Sequence, residues 1–285
     1  MHQNEHHQAA PHQVTGSGNA SPAPGRLQTA AKDWIDGFAS TQLWMTFGWT
    51  DILQRYRRSL LGPFWITLSA GAMIGGIGLL YSQLLKQPTA DYLPFLAAGL
   101  ITWFFISAVI NEGCSVFIGA EHMIKQVRLP FTVHVLRVVF RNLVILLHNL
   151  LVLVPVYLWS GKAVGWGVLL ALPAILLLAL NGVLLALALG IVCARFRDVP
   201  PIVQNLVQLG FFLTPIMFHE RNLGDMGWVA QINPFFHFLE IVRAPLLGEV
   251  APLDSWMYVL AATAALTVAS LGFFARYRAR IPYWI

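Results

Sequence analysis

Arg55, Arg57 and Arg58 lie within four consecutive positions, just ahead of twenty-two uncharged residues, 64–85. Guanidinium forks at that density can grip phosphate oxygens in bidentate fashion, and each is worth about 1 kcal/mol beside an anionic membrane surface. The same arginines can equally do no more than fix orientation, because basic residues stay on the cytoplasmic side of a span. Both readings stand on the sequence. Glu121, His122, Lys125 and Arg128 recur at helical spacing in a polar segment that breaks at Leu129-Pro130. A third set, His237, Glu240 and Arg243, makes one polar stripe on a short segment otherwise built of Phe, Leu, Ile and Val.

Several kinds of chemistry are missing. A phosphate-binding loop needs Gly-x-x-x-x-Gly-Lys-Ser/Thr, and the only Gly-Lys pair, Gly161-Lys162, runs on into Ala163. ATP hydrolysis by that machinery is excluded. Ion-driven transporters place ionisable groups at mid-membrane depth, but the apolar runs here hold no Asp, Glu, Lys or Arg away from their ends. His148, Asn149 and Asn181 are the midspan polar residues, and hydrogen bonds between helices account for them. No carboxylate pair, histidine cluster or nucleophile–base set occurs at matched depth, which disfavours an intramembrane enzyme. His2, His6, His7 and His12 read as part of a polar tail rather than a metal site. Cys114 and Cys193 read as buried small hydrophobes.

The elements that must position these residues follow from composition. The chain is 57% hydrophobic and 11% charged, against roughly 25% charged for soluble domains. Its +5 net charge gathers at the ends of apolar runs, so topology explains it and no nucleic-acid partner is implied. Residues 1–33 lack hydrophobic periodicity and read as a disordered cytoplasmic tail. From Ser40 to Leu61 the spacing predicts an amphipathic helix lying in the headgroup plane. Met45, Trp49, Ile52, Tyr56 and Leu60 form its apolar arc, with Asp51, Arg57 and Arg58 opposite and Ser40 as N-cap. Six apolar runs follow, at about 64–85, 93–113, 142–159, 166–193, 202–218 and 256–275. Pro63 suits the first turn of the first. Between the fifth and sixth, Asn233-Pro234 opens a helix expected to end before Pro245, too short to cross a bilayer. With the N-terminus inside, fourteen of the eighteen Lys and Arg residues fall on the cytoplasmic side. The expectation is an all-α polytopic membrane protein with six transmembrane helices, an N-terminal interfacial helix, short re-entrant or gate helices, and both termini cytoplasmic.

With this topology laid out, the run Arg55-Tyr56-Arg57-Arg58-Ser59-Leu60-Leu61-Gly62-Pro63-Phe64-Trp65 resembles the signature entering the first span of type-2 ABC transporter permeases that export cell-surface polysaccharides. The resemblance continues at 125–130, at Arg195-Phe196-Arg197-Asp198-Val199, at Leu213-Thr214-Pro215-Ile216 and at Asn233-Pro234-Phe235, and covers about 35–285. It implies a multi-pass inner-membrane domain over 34–285, working as a homodimer with two copies of a separate ATPase. ATP and magnesium would be held by that partner, with no cofactor in this chain. The cargo would be a lipid-linked polysaccharide such as O-antigen. Glu121, His122, Lys125 and Arg128 would then form the coupling helix that meets the ATPase. Trp49, Arg55, Tyr56, Arg57 and Arg58 would flank the substrate entrance, and Asn233, Pro234, Phe235 and Phe236 would belong to an outer gate. Sugar rings stack on aromatic faces, so Trp65, Tyr81, Trp103, Phe211 and Phe212 are candidates for an aromatic path; Trp and Tyr near span ends serve equally as interfacial anchors. A drug or lipid permease of the same type, or a channel without an ATPase, remain the alternative functions.

Overall fold

The computed structural model describes residues 25–62, 64–161, 165–220, 224 and 227–285. Residues 1–24 of the expected tail, with its four histidines, lie outside the described residues, as does Pro63. Every regular element among the described residues is helical.

The chain begins with two short helices, α1 (Arg26–Ala39) and α2 (Thr41–Arg55). Helix α1 corrects the sequence reading, which carried the disordered tail to residue 33. Its order comes from a distant contact that local composition does not encode. Buried Asp33 accepts hydrogen bonds from the backbone N–H groups of Phe131 (3.2 Å) and Thr132 (3.1 Å) and pairs with Arg278 at 2.7 Å. Ser40 stands at the N-cap of α2, yet its hydroxyl donates to Asp36 O at 2.7 Å and so closes α1 instead. The helix expected to reach Leu61 stops at Arg55. Arg58 (φ 73°) and Gly62 (φ 55°) are left-handed, and an α-helix cannot run through that backbone.

Long apolar helices follow: α3 (Phe64–Leu84) and α4 (Thr89–Cys114), then, after the short α5 (Glu121–Gln126), α6 (Phe131–Leu150). Helix α7 (Leu153–Ser160) extends α6 beyond a break at Leu151–Val152, where Pro155 withholds an N–H from the Leu151 carbonyl. Next come α8 (Ala171–Arg195), α9 (Val199–Leu213), α10 (Gly227–Ile232), α11 (Pro234–Leu246), α12 (Leu253–Tyr277) and α13 (Ile281–Trp284). Among the described residues, five stretches are long and apolar enough to cross a membrane: Phe64–Leu84, Thr89–Cys114, Phe131–Ser160, Trp166–Arg195 and Leu253–Trp284. The third starts eleven residues before the expected 142 because Arg137 and Arg141 find partners within the fold, so their charges do not end the helix. The run expected as a fifth span is different. Helix α9 has 15 residues, about 22 Å, short of the roughly 30 Å hydrocarbon core. It stops where Thr214 turns extended ahead of Pro215, the conformation a following proline imposes.

Helix α4 is the axis of the core, packed by α3, α6, α8 and α11. Of its most apolar window 78% is buried, against 17% for α3 and for α12. Those two helices therefore turn most of their apolar surface outward, as lipid-facing or partner-facing helices do. At Gly113 the backbone of α4 approaches α8 so closely that a Cβ would meet the Ala186 Cα at 2.9 Å, and contacts of this kind hold apolar helices together where water offers no driving force. Helix α11 is wedged against α4, α8 and α12. It runs on through Pro245 to Leu246, two residues past its expected end; in the last turn a proline disturbs only one carbonyl. Its expected polar stripe faces inward, with His237 and Arg243 buried. Asn181 donates to Thr263 Oγ1 at 2.8 Å, a bond between α8 and α12 of the kind anticipated for a midspan asparagine.

Candidate functional site

The arginine cluster stands at the end of α2, and α2 is clamped to α6. Gly48 allows the contact: a Cβ there would lie 2.8 Å from a Phe140 ring carbon and 3.0 Å from Arg137 O. Three residues on, Asp51 accepts from Arg137 through both Nε (2.8 Å) and Nη2 and from Arg141 Nη1 at 2.6 Å. Asp51 was expected on the water-facing side; it faces α6 because two arginines in an apolar helix need an anionic partner. Ile52 of the expected apolar arc is buried, Met45 and Trp49 are exposed, and Leu60 lies beyond the helix. Arg55, Arg57 and Arg58 are exposed and Tyr56 is half-buried.

The last turn of α2 meets the end of α4 through Glu112. Its Oε1 accepts from Arg55 Nη2 at 3.4 Å, and its Oε2 accepts from Arg141 Nη2 and Asn142 Nδ2, each at 2.6 Å. A polar cavity of about 260 Å³ opens beside it, lined by Asp51, Glu112, Ser115, His134, Arg137 and Arg141 among others. On two of its lining residues, both ring nitrogens of His134 and the Nε of Arg141 are buried without a hydrogen-bond partner.

From Glu112 the chain passes through tight turns and a 3-10 turn, Ile118–Ala120, straight into α5. Lys125 donates to Glu121 across one turn at 2.7 Å. That ammonium holds the Glu121 carboxyl below its ordinary 4.5, chiefly by the hydrogen bond and then by its charge. His122 is exposed on the same short helix. Arg128 is not on it: α5 ends at Gln126, Val127 is extended (φ −126°), and the helical spacing read across 121–128 fails there, two residues ahead of the Leu129-Pro130 break. The C-terminal α13 lies against α5.

Midway along α4, Trp103 joins Phe211, Phe212 and Phe235 in one aromatic chain. Ring centroids are 5.8 Å apart for Trp103–Phe211, 5.4 Å for Phe211–Phe212 and 5.4 Å for Trp103–Phe235. Trp65 and Tyr81, both on α3, make no ring contact with this chain among the described residues, so the structure gathers part of the aromatic set and leaves two members apart. Asn233 caps α11, its Oδ1 accepting from Phe235 N at 2.9 Å, and it ties the cap to the end of α9 by donating to Thr214 Oγ1 at 2.9 Å. Pro234 fills the first turn and Phe236 is buried. Arg243 donates to Pro215 O at 2.8 Å, pairs with Glu240 and lies over the Phe95 ring at 4.3 Å.

Residues 42–247 match the family described as ABC-2 type transporter. The chain belongs to that family. It is also 31% identical, over 224 residues, to the O-antigen export system permease protein RfbA of Myxococcus xanthus, an alignment spanning 76% of this chain and 84% of that protein. The chain is thus a multi-pass ABC-2 membrane permease, and both the family and this relative are described as a transporter or permease rather than as an enzyme.

The family match runs from α2 to the end of α11, so the clamp, the α5 segment and the aromatic chain of the permease all fall within it. Its polar linkages were the part missed from sequence: Asp33 with Arg278, Asp51 with Arg137 and Arg141, Glu112 with Arg55. The usable signal was Arg137 and Arg141, four residues apart at the head of an apolar run, since charges so placed require partners.

Proposed function

We propose that this permease is the membrane subunit of an ATP-driven exporter that moves a lipid-linked polysaccharide, O-antigen in class, across the cytoplasmic membrane. The observation that carries the reading is the 31% identity to an O-antigen export permease over most of both chains. Two copies of the chain form the path, and two copies of a separate ATPase bind ATP and magnesium and drive it. The outward-facing apolar surfaces of α3 and α12 support lipid and partner-copy contacts. Both termini are cytoplasmic, and α9 with the segment after it completes a sixth crossing. Arg55, Arg57 and Arg58 meet the phosphates of the lipid carrier, helped onto the membrane by exposed Trp49 and by Tyr56. Glu121, His122 and Lys125 on α5, with Arg128 beyond it, are the surface that receives the ATPase stroke. Asn233, Pro234, Phe235 and Phe236 belong to the outer gate, and Trp103, Phe211 and Phe212 line the glycan path beside it; Trp65 anchors α3 at the membrane interface and Tyr81 packs within the fold.

Deleting the gene tests the reading. Polymer attached to its lipid carrier accumulates in the cytoplasm, and expression of this chain with its ATPase clears it. Unchanged surface glycan, with loss of efflux of a drug or lipid instead, would replace the substrate assignment.

A further inference from the structure

We infer that Glu112 is a positioning residue for the entrance: it restrains Arg55 while the entrance is empty and lets go of it when the coupling segment after α4 is displaced. This rests on the reading above, in which Arg55 meets lipid-carrier phosphate and α5 receives the ATPase.

Three observations converge on the carboxylate. The first is connectivity. Ser115 donates to Glu112 O through both its N–H (3.1 Å) and its hydroxyl (3.0 Å), Val116 N donates to Gly113 O at 3.3 Å, and a 3-10 turn leads from there into α5. The connection is turns throughout, with no extended slack, so a push on α5 arrives at Glu112. The second is the asymmetry of its contacts. The inner oxygen holds Arg141 and Asn142 at 2.6 Å, while the outer one reaches Arg55 at 3.4 Å, and the side chain of Arg55 is 48% exposed against 15% for Arg141. A long, solvated contact is the first to give way. The third is an unused donor on the inner side. Arg141 Nε is buried without a partner on the guanidinium that Glu112 already holds through Nη2, so a carboxylate turning inward has that donor to gain as it loses Arg55. The remainder of α2 is fixed on α6 by Gly48 and Asp51, which leaves the Arg55 side chain as the part free to change partner. Freed from Glu112, its fork is available to a phosphate.

The test is binding of undecaprenyl pyrophosphate, in nanodiscs, to the purified permease–ATPase complex with and without a non-hydrolysable ATP analogue. In the native complex the nucleotide changes affinity for the probe. Glu112→Gln, and Glu112→Asp, which keeps the charge for Arg141 but shortens the reach to Arg55, should each bind the probe about two- to fivefold tighter without nucleotide, the factor of an exposed ion pair, and lose the nucleotide response. Arg55→Gln should weaken binding, and Arg55→Gln with Glu112→Asp should bind no better than Arg55→Gln alone. Native-like affinity and nucleotide response in both Glu112 variants overturn the inference, as does tightening that persists without Arg55. A native complex that does not bind the probe overturns the entrance reading itself, a separate result.

Discussion

Replacing Asp51 by Asn tests whether α2 is fastened to the transmembrane core by charge. The side chain is 12% exposed, and the arginines it holds, Arg137 and Arg141, are 26% and 15% exposed. Removing one partner of a fully buried pair costs about 3–5 kcal/mol, whereas exposed pairs contribute under about 1. These exposures place the site nearer the buried limit. Arg141 retains Glu112 at 2.6 Å and softens the loss, while Arg137 has no second carboxylate partner among the described residues. Asparagine keeps one acceptor but turns N–H groups toward a guanidinium, setting donor against donor. About 2–3 kcal/mol of destabilisation is expected. Equilibrium unfolding in mixed micelles of a mild detergent and dodecyl sulfate, followed by tryptophan fluorescence, would measure it. The double variant D51N/R137M should cost little more than D51N, because both changes break the same contact. A D51N cost below about 0.5 kcal/mol, the size of an ordinary surface substitution, would refute the clamp.

Reversing Glu121 and Lys125 together preserves their intrahelical pair but inverts the charge pattern offered to a partner; export and substrate-stimulated ATP hydrolysis should fall while the unfolding midpoint stays put, and unchanged export would move the docking surface elsewhere. Because the Glu121 pKa is depressed, its contribution is present above 4.5 and is lost only as pH falls below that value, so this contact should not respond to pH between about 6 and 8. Gly48→Ala gains about 1 kcal/mol of helix propensity but forces a Cβ to 3.0 Å from a backbone oxygen that cannot yield; a net loss of about 1 kcal/mol is expected, and a stabilised protein would show that α2 is free to lift. Changing Arg55, Arg57 and Arg58 to Lys keeps the inside-positive charge and loses the planar forks, so insertion should be normal and export roughly tenfold lower, whereas full export would leave the arginines as anchors of topology alone.

The long helices were legible because a membrane span is written in consecutive residues. Uncharged runs of about twenty mark α3, α4 and α8 without reference to anything distant. Asn233-Pro234 was legible for the same reason, since an N-cap and its first-turn proline are neighbours. The misses needed long-range knowledge. Helix α1 is ordered by the head of α6 and by Arg278, 98 and 245 residues from Asp33, and no window on 26–39 contains that fact. The stop at Arg55 depends on the left-handed backbone of Arg58, a residue type with no special tolerance for it. Apolar periodicity ran α2 on past that point.

The same locality explains which candidate residues sequence could name. Exposed charges such as Arg57, Lys125 and Glu121 announce themselves by type and spacing. Asp51 and Glu112 did not, because the first reads as one polar residue on the water-facing side of an amphipathic helix and the second as the end of a span. Their roles emerge only where α2, α4 and α6 converge, and there the bonding is graded. Asp51 is held on three short contacts and fixes α2, whereas Glu112 is held tightly on its inner side and loosely toward Arg55. The proposed coupling through α5 needs both properties at one junction: a frame stiff enough to carry force, and one contact weak enough to change when that force arrives. The clamp supplies the stiffness, and the 3.4 Å contact supplies the weak point.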